Sequence, residues 1–87
     1  MNELLVILQE ECAEVSKIIS KIHRYGLHSL NPVTLQYNEE MLNQEIGDLL
    51  CMIDLCIEQN ILDQQVIQEQ KKWKREKLKE WSTIKNL

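Results

Sequence analysis

The spacing of apolar positions divides the chain into three helical stretches, Glu3 to Arg24, Thr34 to Asn60 and Asp63 to Trp81. On a wheel of about 100° per residue, Leu4, Leu8, Val15, Ile18, Ile19 and Ile22 share one face of the first stretch. In the second, Leu42, Ile46, Leu49, Leu50, Ile53, Cys56 and Ile57 share a face centred near about 260°. The segment YGLHSLNP supplies Gly26 as a helix stop, Pro32 ahead of a new helix and Thr34 as its cap. In EQNILD, Asn60 ends one helix and Asp63 caps the next. Apolar spacing fails between Tyr37 and Met41, the place where the second stretch would break. There is no internal repeat and no low-complexity segment.

Two acidic pairs interrupt this pattern. Glu11 falls at about 20° on the first wheel, inside the apolar stripe, with Glu14 on its margin at about 320°. Glu45 and Asp48 lie at about 180° and 120° on the second wheel, along one border of its apolar face. Each pair has the i, i+3 spacing that makes side chains neighbours on a helix. A carboxylate on a core face must be protonated, paired or metal-bound, because an isolated buried charge is too costly.

If the two borders face each other, four carboxylates converge and repel unless a cation compensates. Oxygen-only ligation points to Mg²⁺ or Mn²⁺ and away from zinc. His23 and His28 lie past the motif and read as solvent-facing or loop residues. Neither pair has the Glu-x-x-His form of di-iron bundles, which disfavours redox chemistry. Carboxylate-held Mg²⁺ is ordinarily completed by water and substrate phosphates, so phosphoryl chemistry is the default use. A single Glu-x-x-Glu pair is common on solvated helices; the reading rests on two pairs on adjacent helices.

Composition adds three constraints. At 87 residues the chain is one domain with a small core, and such folds usually need a disulfide, a metal or a partner subunit. Three cysteines, Cys12, Cys51 and Cys56, cannot all pair, and the opening MNELLVILQEE turns acidic too early for a secretory signal; they read as reduced, buried thiols of a cytoplasmic protein. Two glycines and one proline favour helix, and no apolar run approaches a membrane span. The net charge of -4 disfavours non-specific nucleic-acid binding, yet KKWKREKLK is a basic run. It suits a nucleic acid or an anionic small molecule beside metal-binding acids.

The run LQEECAEVSKIISK resembles the Glu-Glu-x-x-Glu helix, and NQEIGDLLCMIDL the Glu-x-x-Asp helix, of the MazG-like all-α nucleoside triphosphate pyrophosphohydrolases. The ending KREKLKEWSTI is similar to that of short, phage-carried members, so the resemblance covers nearly the whole chain. It implies an all-α MazG-like helical bundle, one domain over residues 1–87, completed by oligomerisation as a homodimer or homotetramer. It implies that Glu11, Glu14, Glu45 and Asp48 hold Mg²⁺, with Mn²⁺ as substitute, and that Glu10 orients or activates the attacking water. Lys17, Lys21, Lys74 and Arg75 would meet the phosphates of a nucleoside triphosphate, which is cut between its α and β phosphates. The first helix opens almost directly on the acidic motif, so base recognition is left to the loop from Tyr25 to Tyr37, to the first turns near Asn2, or to a second subunit. Trp73 and Trp81 read as core or interface more readily than as base-stacking platforms.

The expected protein is therefore a cytoplasmic, metal-dependent nucleotide hydrolase built from two long helices and a basic third. Its rivals are a non-enzymatic helical interaction module, indifferent to Mg²⁺, and a nucleic-acid binder using KKWKREK, sensitive to salt.

Overall fold

The computed structural model describes residues 2–87. Its elements are α1 (Glu3–Tyr25), α2 (Asn38–Glu58) and α3 (Gln64–Trp81), with no strand among the described residues. Among the described residues no helix is long and apolar enough to cross a membrane.

Each helix start has a local cause. The Asn2 side chain accepts the Leu4 N–H at 2.9 Å, and the Asp63 side chain accepts the Val66 N–H at 3.1 Å, each relieving one of the unpaired donors of a first turn. α1 stops at Gly26, whose φ of 97° is open to glycine and strained for other residues. α2 stops before Asn60, which takes the left-handed conformation at φ 60°.

The second helix begins four residues later than its apolar pattern suggests, at Asn38 instead of Thr34, and Thr34 is not its cap. The cause is Asn31, whose side-chain Oδ1 accepts the N–H groups of Val33 and Thr34 at 2.8 and 3.2 Å and holds them in a turn. Leu30 and Tyr37 then pair as an isolated antiparallel bridge. The Asn38 and Glu39 N–H groups, free donors of the new first turn, are accepted by the carbonyls of Ser29 and Leu27 at 2.9 and 3.0 Å. The Glu40 carboxylate accepts the Tyr37 N–H at 3.2 Å. The 26–37 loop is thus bound to both helices it connects.

α1 and α2 pack as an antiparallel pair. Gly26 meets Asn38, Ile18 and Lys21 share a hollow with Met41, and Glu11 meets Asp48. The fully enclosed core is small: Ile18, Met52 and Cys56. Asn38 is buried with them at 4% exposure, its amide nitrogen donating to the Gly26 carbonyl at 2.9 Å. Breaking such a buried bond costs about 1–3 kcal/mol.

The packing uses the acid-bearing border of α2, and one expectation, that all three thiols are buried, needs correction. The side of α2 against α1 carries Asn38, Glu45, Met52 and Cys56, at about 160° to 200°, and not the centre of the apolar face at about 260°. α1 covers only one edge of that face, and Leu50 beyond it is 54% exposed. Of the three thiols only Cys56 is buried; Cys12 and Cys51 lie on the outer sides of their helices and are exposed.

α3 scarcely touches either of the other helices and buries none of its residues. Its two indoles, Trp73 and Trp81, meet edge to face at 6.3 Å and remain largely exposed. The chain consequently spans 41 × 37 × 17 Å with a radius of gyration of 15.7 Å, against about 12 Å for a compact domain of its length. Its accessible surface is 7021 Å², against roughly 5,400 Å² for a compact monomer of this mass.

Candidate metal centre

The antiparallel register determines which acids meet. Carboxylate oxygens of Glu11 from α1 and of Glu45 and Asp48 from α2 lie within 4.8 Å of one another. Glu11 and Glu45 are half-buried on the seam between the helices, while Asp48 is exposed. Glu45, which the wheel placed on a border, lies within the packed side, because the packed side is centred nearer to it than the apolar face is.

The Glu11 carboxyl is pushed above its ordinary value, first by desolvation on the seam and then by the negative charges of Asp48, Glu45, Glu14 and Glu10. No cation of the protein pairs with any of the three clustered acids among the described residues. Three oxygen donors that crowd one another without a counter-charge could hold a metal ion, and their chemistry suits a hard divalent ion better than a soft one.

Glu14 stands one turn further along α1. It shares a hollow of about 100 Å³ with Glu45, Ile18, Met41, Lys17 and Lys21. The two expected phosphate-binding cations of α1 therefore stand beside the acids, on the side toward the loop. Glu10 is exposed next to Glu11. Lys74 and Arg75 lie elsewhere: the Lys74 Nζ sits 5.5 Å from the centre of the Trp81 ring, and Arg75 lines a shallow hollow on α3 with Gln68, Lys71 and Lys72. Within one chain, α3 does not bring them to the acids. His23 is exposed, and exposed His28 meets Glu39 at 3.1 Å, away from the cluster.

Met41 lines the hollow that holds Glu14 and Glu45, Asn38 lines the one that shares Lys21 with it, and neither was singled out by the apolar spacing. A signal for Asn38 existed: the α2 wheel extended backward puts it at about 200°, the bearing of Cys56.

No known protein family, curated protein or solved structure matches the chain.

Proposed function

We propose that this protein is a Mg²⁺-dependent nucleoside triphosphate pyrophosphohydrolase of the MazG-like kind, acting in nucleotide-pool control in the cytoplasm. The observation that carries the reading is the convergence of Glu11, Glu45 and Asp48 from two antiparallel helices, with Glu14, Lys17 and Lys21 alongside. Glu11, Glu14, Glu45 and Asp48 would hold the ion. A bound divalent ion supplies a polarised phosphoryl oxygen and a water made acidic enough to act as nucleophile. Glu10, exposed beside the cluster, orients that water and takes its proton. Water adds to the α-phosphorus, the bond to the bridging oxygen of the β-phosphate breaks, and nucleoside monophosphate and pyrophosphate leave. Lys17 and Lys21 neutralise the phosphate tail and hold it in line.

The working form in this reading is a homodimer or homotetramer. Its support is the excess of exposed surface, the uncovered side of α2 around Leu50, and a third helix that scarcely packs on the other described elements. Lys74 and Arg75 would then reach the phosphates of a neighbouring copy. Product analysis with Mg²⁺ and a panel of ribo- and deoxynucleoside triphosphates tests the reading. Monophosphate plus pyrophosphate should form, and Glu45→Gln and Asp48→Asn should each slow turnover by more than about 100-fold, since even outer-shell changes at metal sites cost roughly 10- to 100-fold. No turnover of any nucleotide would overturn it.

The exposed Trp73 and Trp81, with Lys74 and Lys77 over the Trp81 ring at 5.5 and 5.8 Å, support a second reading: a helix that contacts single-stranded nucleic acid. Metal-independent, salt-sensitive binding of an oligonucleotide would favour it over the hydrolase.

A further inference from the structure

A cavity of about 320 Å³ opens between the end of α1, the 26–37 loop and the start of α2, and it shares Lys21 with the hollow that holds Glu14 and Glu45. Tyr25, Leu30 and Pro32 form its apolar walls, Asn31 and Asn38 its polar ones, and Lys21 belongs both to it and to the hollow beside Glu14 and Glu45.

The two asparagines are held by the backbone and leave one hydrogen-bonding group each. The Asn38 amide nitrogen is committed to the Gly26 carbonyl, which fixes the orientation of the amide. Among the described residues nothing donates to its Oδ1, and no side-chain oxygen there is both sealed from solvent and unpaired. An acceptor on a residue 4% exposed therefore meets solvent at the cavity wall. Asn31 is the reverse case: its Oδ1 is committed to the Val33 and Thr34 N–H groups, which leaves its Nδ2 as donor. Arg24 covers the Tyr25 ring from 5.3 Å, a contact that steadies an otherwise exposed aromatic.

A flat group with adjacent donor and acceptor on its edge and two π faces matches these walls. We propose that the cavity takes the nucleobase of the triphosphate, with Tyr25 stacked on it, Asn38 accepting from its edge and Asn31 donating to it. This rests on the pyrophosphohydrolase reading and extends it to where the base is held. Asn38 and Glu45 are seven residues apart on α2, about 10 Å along the axis. The ribose bridges that interval past Lys21 and Met41, and the α-phosphate arrives at the acids.

The test uses the full chain with Mg²⁺, nucleoside triphosphates as substrates and inorganic tripolyphosphate, which has the phosphates and no base, as competitor. Tyr25 and Leu30 are 65% and 46% exposed, so Tyr25→Ala, which removes the stacking ring, and Leu30→Trp, which fills the cavity, leave the helix pair intact. In each, KM for the nucleotides should rise roughly tenfold, as loss of a base-stacking aromatic does, while inhibition by tripolyphosphate stays as in the parent. A parallel rise in both quantities, or an unchanged KM in both variants with turnover intact, would overturn this placement of the base and leave the hydrolase reading standing. A parent protein that hydrolyses no nucleotide would overturn both.

Discussion

Glu11 on α1 and Asp48 on α2 bring carboxylate oxygens within 4.8 Å across an antiparallel helix pair, and among the described residues no lysine or arginine forms an ion pair with either. In the metal-free protein this approach opposes the fold. With an ion it becomes a bond between the helices. The same residue thus changes sign in its effect on stability, which separates a metal centre from a merely acidic surface.

Neutralising one member should therefore raise stability without metal and remove the gain from metal. Glu11→Gln is expected to melt higher than the parent protein in chelator and to show little rise on adding Mg²⁺ or Mn²⁺, where the parent shows a clear one. Thermal melts of both proteins with and without ion decide it; a variant that melts lower in chelator would contradict the repulsion.

The pH dependence follows with a definite sign. The folded Glu11 carboxyl binds its proton above the ordinary value of 4.5, so over that interval the folded chain holds more protons than the unfolded one. This group's contribution then makes metal-free stability fall as pH rises through the interval and level off above it. Melts between about pH 4 and 7 should show a steeper decline in the parent than in Glu11→Gln. Parallel profiles would show that Glu11 is not the group responsible.

Thiol accessibility checks the side of each helix that faces outward. An aromatic disulfide reagent should titrate Cys12 and Cys51 in the native protein, and Cys56, which is 0% exposed, only after denaturation. Rapid reaction of all three would mean that the α1–α2 seam is open.

The proposed assembly predicts that Leu50→Glu shifts sedimentation toward the monomer while helix content is retained. Leu50 is 54% exposed and lies off the side of α2 that packs on α1, so a charge there spares the intrachain core. An unchanged sedimentation coefficient would place the interface elsewhere.

Much of this architecture was legible from residue spacing, and the exceptions have physical reasons. The helix ends at Gly26, Asn60 and Asp63 were readable because each residue type has a local conformational or capping reason to be there. The start at Asn38 was not, because it depends on carbonyls of Ser29 and Leu27 presented by a loop whose shape is set by Asn31. The acids were legible as two pairs with a shared periodicity, yet the grouping of Glu11 with Glu45 and Asp48, one turn from Glu14, required the helix register. A wheel gives the direction of greatest hydrophobicity. It does not say which edge of a wide apolar face a neighbour covers, so the meeting of the two acid-bearing borders was readable only as a condition. The placement of α3 was least legible, since its indoles and cations meet one another and leave it scarcely packed on α1 and α2.

The register between α1 and α2 also governs how this chain can change in length. One residue added between Glu11 and Ile18 would turn Glu11 by about 100° relative to Ile18 and the seam, and slide it about 1.5 Å along the axis. The acids would then no longer converge, however well the helix itself formed. The loop tip does not enter that register: Val33 and Leu35 are 89% and 72% exposed, beyond the bridge of Leu30 with Tyr37, and a residue more or less there leaves the acids facing one another. Insertions and deletions belong there, while the helices on either side are open to change of residue and closed to change of count.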